Sequence, residues 1–84
     1  MRIQVFGSGC ASCKRLLDNA REAARAIGPD IDVEYVTDLE RIVAMGILRT
    51  PGLAIDGKVR STGRVPDAKE IRRMVAEAKL GAGA

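Results

Sequence analysis

Arg2-Ile3-Gln4-Val5-Phe6 alternates polar and apolar residues and stops at Gly7, the period-two signature of a strand. From Cys10 onward the period changes. Cys13, Leu16, Leu17, Ala20, Ala23, Ala24 and Ile27 recur at helical spacing, while Lys14, Arg15, Asp18, Arg21, Glu22 and Arg25 fall on the opposite face. Gly28-Pro29 supplies the stop. Asp32-Val33-Glu34-Tyr35-Val36 alternates again, so a strand, helix and strand follow one another and predict a parallel pair with a right-handed crossover.

Thr37, with Glu40 three residues on, predicts a capping box for a short helix from Asp38 to about Met45, with Leu39, Ile42 and Val43 on its packed side. Leu53-Ala54-Ile55 and Lys58-Val59-Arg60-Ser61 flank Asp56-Gly57, the strongest local hairpin signal of the chain. Thr62 to Pro66 reads as a loop, and Asp67 with Glu70 caps a last helix whose apolar face is Ile71, Met74, Val75 and Ala78. The predicted class is α/β in the order βαβαββα, a four-stranded mixed sheet with three helices on its two faces. Residues 1–80 are expected to form a single domain and 81–84 a disordered tail.

Composition narrows how such a sheet is filled. Apolar residues make up 46% of the 84, yet Phe6 and Tyr35 are the only aromatic ones. The core therefore has to be built from Leu, Ile, Val, Met and many Ala, and small side chains require closely approaching elements. The formal charge of +3 is mild, and its basic residues are spread from Arg2 to Lys79. That distribution fits solvated helix faces rather than a nucleic-acid stripe, so no nucleic-acid partner is expected. Met1 to Phe6 runs at once into glycines and cysteines, leaving no stretch of signal-peptide or membrane-spanning length. A soluble, cytoplasmic protein without a membrane partner is the expectation.

Candidate chemistry sits in Gly7-Ser8-Gly9-Cys10-Ala11-Ser12-Cys13, which holds both cysteines of the chain. A Cys-x-x-Cys loop is too short to restrain the unfolded chain as long-loop structural bridges do. The pair is either a reversible redox switch or a two-thiolate clip for a soft metal such as Cu(I). With no histidine and no further cysteine, a closed four-ligand zinc site cannot form within one chain, and no metal site is assigned. Gly7 and Gly9 let the chain turn and bring backbone close to the sulfurs.

Cys10 falls at a predicted helix N-terminus, where unpaired N–H groups favour a thiolate, and Lys14 and Arg15 in the next turn add positive potential. Cys13, on the same face as Leu16, is the more sheltered sulfur. In the redox reading Cys10 attacks a partner disulfide and Cys13 then releases the partner. Thr50-Pro51 enters a strand that, paired beside the Cys-bearing strand, would begin near the thiols. Asp38 or Glu40 is a candidate proton carrier, although capping suffices to explain either. Gly57 and Gly63 read as turn residues.

Three motifs in order, Gly7 to Cys13, Pro51-Gly52-Leu53-Ala54-Ile55-Asp56-Gly57, and Gly63-Arg64-Val65 before the last helix, resemble the small archaeal and bacterial thioredoxin-like proteins, also described as glutaredoxin-like or redox-active disulfide proteins. The resemblance covers Arg2 to about Leu80. It implies a minimal thioredoxin fold of four strands and three helices. It also implies a nucleophilic Cys10 and a resolving Cys13, Pro51 in the place of the family's cis-proline, and a Thr50 backbone that pairs with an extended partner segment. Gly63 corresponds to the glycine that keeps the third edge of the partner surface open. The implied activity is that of a monomeric thiol-disulfide oxidoreductase, without cofactor, exchanging electrons with protein disulfides and a dithiol reductase. Two alternatives use the same sulfurs: a Cu(I) carrier, whose fold ordinarily ends on a strand rather than a capped helix, and a redox-sensing adaptor that does not turn over. Ala11-Ser12 between the cysteines is neither the Gly-Pro of thioredoxins nor the Pro-Tyr of glutaredoxins. The first strand also lacks the buried acid of thioredoxins.

Overall fold

In the computed structural model, which describes residues 1–81, β1 (Arg2–Phe6) lies inside a four-stranded sheet. On one side it pairs in parallel with β2 (Asp32–Val36), to which it is joined through α1 (Ala11–Ile27). On the other it pairs antiparallel with β3 (Gly52–Ile55), and β3 in turn pairs with β4 (Lys58–Thr62) across the Asp56-Gly57 turn. The strand order is β2-β1-β3-β4, and α2 (Leu39–Ala44) and α3 (Ala68–Gly81) complete the predicted βαβαββα order of a minimal thioredoxin fold. Both turn residues of the hairpin have positive φ, 50° at Asp56 and 82° at Gly57, as a two-residue connection between right-twisted strands requires.

Strand alternation sorts the core into two layers. Ile3 and Val5 of β1, Leu53 and Ile55 of β3, and the partly buried Val33 and Tyr35 of β2 pack with α1 and α3. Phe6, Val36 and Ala54 face the other way and meet Ile42 and Ile47. In α1 the buried positions Cys13, Leu16, Leu17, Ala20, Ala23 and Ala24 are those predicted, and three alanines among them let the helix lie close to its neighbours. Among the described residues no helix is long and apolar enough to cross a membrane.

The second helix differs from expectation at its start and on its face. Asp38, not Thr37, is the N-cap: its Oδ1 accepts the Glu40 N–H at 3.0 Å, and its carbonyl accepts the first helical bond, from Ile42, at 3.0 Å. Leu39 and Val43 are 72% and 58% exposed, and only Ile42 is buried. A helix of six residues has room for one inward position, and the core beneath it is filled from its C-terminal end. There Gly46, with φ of 76°, donates to Val43 at 2.9 Å and Ile47 donates to Ile42 at 3.2 Å. This is a Schellman end whose Ile42–Ile47 pairing doubles as core.

A β-bulge interrupts the hairpin: Leu53 pairs with Ser61 but Ala54 with Val59, leaving Arg60 unpaired in the ladder. Arg60 reaches α3 instead, donating to the Met74 carbonyl at 3.3 Å and to Glu77 at 2.7 Å. The third helix starts on the expected cap, with the Glu70 N–H donating to Asp67 Oδ1 at 2.8 Å, and runs through Gly81. The rest of the expected tail, 82–84, lies outside the described residues.

Candidate active site

Cys10 is the N-cap of α1, with extended backbone at φ −68° and ψ 166°. Its carbonyl accepts the first helical bond, from Lys14 at 3.0 Å, and its Sγ accepts the Cys13 N–H at 3.2 Å. The two sulfurs are joined in a disulfide with their Cα atoms 5.1 Å apart. One turn of helix therefore separates an exposed cysteine from one with no exposure at all: Cys10 stands at the surface and Cys13 lies in the layer beneath α1. The first turn of this 17-residue helix holds no acidic residue, and Lys14 and Arg15 are exposed. Any negative charge on Cys10 therefore meets the helix N-terminus and two cations without a competing carboxylate on that turn.

The two glycines that precede the pair divide their work. A Cβ on Gly7 would clash with Cys13 Sγ and lie 2.7 Å from Cys13 Cβ, so the close approach of backbone to Cys13 is made here. Its N–H donates to the Val36 carbonyl at 3.1 Å, which extends the β1–β2 pairing by one step and fixes the glycine in place. Gly9 has no atom within 4 Å of such a Cβ and contributes its φ of 88° to the turn instead.

The strand register brings Thr50, Pro51 and Gly63 to the same end of the sheet. Phe6 pairs with Gly52 and Gly52 with Thr62, so Pro51 and Gly63 adjoin the strand end from which Gly7 leads to Cys10. The Thr50-Pro51 peptide is cis, Pro51 is buried and Thr50 is exposed. The Gly63 N–H donates to the Pro51 carbonyl at 2.9 Å. With φ at 73°, Gly63 also packs against Arg49, whose Cβ would be 3.2 Å from a Cβ placed on the glycine. The loop behind it is tied down by Arg64, which forms an ion pair with Glu70, and by Asn19, which donates to the Pro66 carbonyl at 3.0 Å. The Arg64 hydrogen bond holds the Glu70 carboxyl below its ordinary range.

Asp38 is committed to capping α2, and Glu40 is exposed in its first turn; that helix packs on the face of the sheet opposite Cys13. The carboxylate with a structural network is Glu34, which accepts from Arg41 at 3.0 Å and 3.3 Å and from Gln4 at 2.9 Å. It too lies on the far face. Sequence reasoning missed a polar group near the pair: Tyr35 of β2, opposite Val5 in the register, faces α1. The period-two phase of β2 is the signal that could have found it.

The chain that builds this geometry, an exposed helix-capping cysteine bonded to a buried one beside the Pro51 strand entry, is similar in sequence to known proteins. A thioredoxin-domain family model matches residues 1–76. The chain belongs to the thioredoxin family. A thioredoxin of Methanothermobacter thermautotrophicus is 40% identical over 75 residues, which cover 89% of this chain and 97% of that protein. A thioredoxin of Methanocaldococcus jannaschii is 34% identical over 70 residues, 83% of this chain and 80% of that one. A probable thioredoxin of Methanothermobacter marburgensis is 31% identical over 81 residues, covering 92% and 94%. With its Cys10–Cys13 disulfide, this thioredoxin-family chain is a dithiol-disulfide oxidoreductase.

Proposed function

We propose that the chain passes electrons from a dithiol reductase to protein disulfides, with Cys10 as the attacking sulfur and Cys13 as the resolving one. The observation that carries this assignment is the exposure difference between the two cysteines. The Cys10 thiolate attacks one sulfur of a substrate disulfide, forming the mixed disulfide and expelling the other substrate sulfur as a thiolate, which takes a proton from solvent. Cys13 loses its proton and attacks Cys10 Sγ, closing the intramolecular disulfide and releasing the second substrate thiol. The substrate has gained two electrons and two protons, and the reductase restores the dithiol. Gly9, Lys14 and Arg15 favour the attacking thiolate by shaping and charging the helix start. Thr50, Pro51 and Gly63 form the edge along which an extended partner segment lies. The chain acts as a monomer in the cytoplasm.

The test is reduction of a protein disulfide with dithiothreitol as electron source, comparing wild type, Cys10→Ser and Cys13→Ser. Catalysis by wild type, none by Cys10→Ser, and a covalent mixed disulfide accumulating on Cys13→Ser are expected. Absence of turnover by wild type together with stoichiometric Cu(I) uptake overturns the proposal in favour of metal carriage. Trapping on Cys10→Ser instead would reverse the two roles.

A further inference from the structure

Tyr35 is the one tyrosine of the chain, and its hydroxyl is buried without a hydrogen-bond partner among the described residues. An unpaired buried hydroxyl is costly, and a phenylalanine would fill the same strand position without that penalty. The hydroxyl lies 3.6 Å from the point that a Gly7 Cβ would occupy, and Cys13 crowds that same point with its Sγ and, at 2.7 Å, its Cβ. Tyr35 Oη and Cys13 Sγ therefore flank one glycine, on the buried side of the sulfur.

In the disulfide, Cys13 Sγ is neutral and a weak acceptor. Opening the disulfide leaves Cys13 as a thiol that must ionise to resolve a mixed disulfide, at a position with no solvent exposure. Burial alone opposes that ionisation. The charged groups of its own helix nearby, Lys14 and Arg15, are exposed. β1 and β3 present Val5, Phe6, Gly7, Gly52 and Leu53 at this end of the sheet, none of them titratable. From β2 comes Tyr35.

We propose that the Tyr35 hydroxyl donates a hydrogen bond to the Cys13 thiolate while the mixed disulfide is resolved, a role that rests on Cys13 being the resolving sulfur. The tyrosine keeps its proton throughout. The Cys13 proton leaves to solvent, the thiolate attacks Cys10 Sγ, the bond from Cys10 to the substrate sulfur breaks, and the departing substrate thiolate is protonated. Because the hydroxyl is unpaired in the disulfide and paired once the bond opens, it also biases the protein toward its reduced form.

Tyr35→Phe tests this. In a Cys10→Ser background the Cys13 pKa is read from the pH dependence of alkylation, and in the otherwise wild-type chain the decay of a preformed mixed disulfide is timed. Tyr35→Phe is expected to raise the Cys13 pKa, to slow resolution at neutral pH about tenfold, the effect of one hydrogen bond to a charged group, and to make the reduction potential more negative. Since the chain has a single tyrosine, biosynthetic replacement by a fluorinated tyrosine alters this phenol alone, makes it a stronger donor, and should move the Cys13 pKa the opposite way. A Cys13 titration unmoved by both changes overturns the proposal, even if the variants alter stability. The pKa readout does not depend on which sulfur attacks substrate, so trapping with Cys13→Ser tests the underlying role separately.

Discussion

Gly7 and Cys13 meet with no room for a side chain between them: a Cβ on Gly7 would stand 2.7 Å from Cys13 Cβ and closer still to its Sγ. The end of β1 and the first turn of α1 come together at this distance because the residue there is glycine. Gly7→Ala must displace the buried sulfur or the strand end, at a cost of about 1–3 kcal/mol typical of overpacking. It should also slow closure of the Cys10–Cys13 disulfide. Urea denaturation together with the decay of a mixed disulfide measures both, and an alanine variant as stable and as fast as wild type would contradict the contact. Gly9→Ala, with open space around the added carbon, should lose stability only through its positive φ, roughly 1–2 kcal/mol.

Asp38→Ala should destabilise the chain by about 1 kcal/mol, the usual loss for a side chain capping a helix N-terminus. Its Oδ1 is the acceptor for the Glu40 N–H. Thr37→Ala should cost clearly less, because Thr37 precedes the cap. Amide exchange at Glu40 distinguishes the two: it should accelerate in the Asp38 variant alone. Equal effects at both positions would return the cap to Thr37.

These two cases show what the chain discloses locally and what it does not. The strand and helix phases of β1, α1 and β2 are legible because each runs long enough for its apolar face to repeat, and the hairpin because Asp56-Gly57 permits few other conformations. Thr37 and Asp38 are both good caps, and the Thr37–Glu40 spacing imitates a box, so the choice was made by where Ile42 finds its core at Ile47 and Phe6. Gly7 and Gly9 are indistinguishable in sequence. Only the return of α1 over the sheet makes one a contact and the other a turn residue. The bulge at Arg60 coincides with an ion pair to Glu77 on another element, a partner that the strand's own sequence does not reveal. Both cysteines were legible as the redox pair, since chemistry-bearing residues advertise themselves by type, and Thr50-Pro51 was legible as a strand entry at the same end of the sheet. The Tyr35 hydroxyl was not, because an alternating strand gives its face but not its neighbour across the βα crossover.

Acid should weaken the fold partly through Glu34. Hydrogen bonds from Arg41 first and Gln4 second hold its carboxyl below the ordinary 4.5. A carboxyl depressed in the folded state contributes stability that is present above its unfolded value and is lost as pH falls through the folded one. The contribution should therefore disappear below about pH 4.5. Glu34→Gln should flatten the pH dependence of the thermal midpoint in that window and leave less of it sensitive to salt. Glu70, held low by Arg64, supplies a second component of the same sign. An unchanged acid slope in the Glu34→Gln, Glu70→Gln double variant would show that neither network differs between folded and unfolded chains.

Gly63 ties the Pro51 edge to the loop before α3, and its substitution should separate substrate binding from sulfur chemistry. Its φ of 73° disfavours any other residue by roughly 1–2 kcal/mol, and an added Cβ would press on Arg49 at 3.2 Å. Relief of that contact shifts the Gly63 N–H that donates to the Pro51 carbonyl at 2.9 Å, hence the strand entry beside the disulfide. Nothing in the change touches the α1 N-terminus that Cys10 caps. Gly63→Ala is thus expected to raise the KM for a protein disulfide several-fold while the alkylation rate of Cys10 by a small reagent stays at the wild-type value. If alkylation slows in step with turnover, the glycine supports the cysteine loop itself and the partner edge must be sought elsewhere; if neither changes, Gly63 is a turn residue and no more.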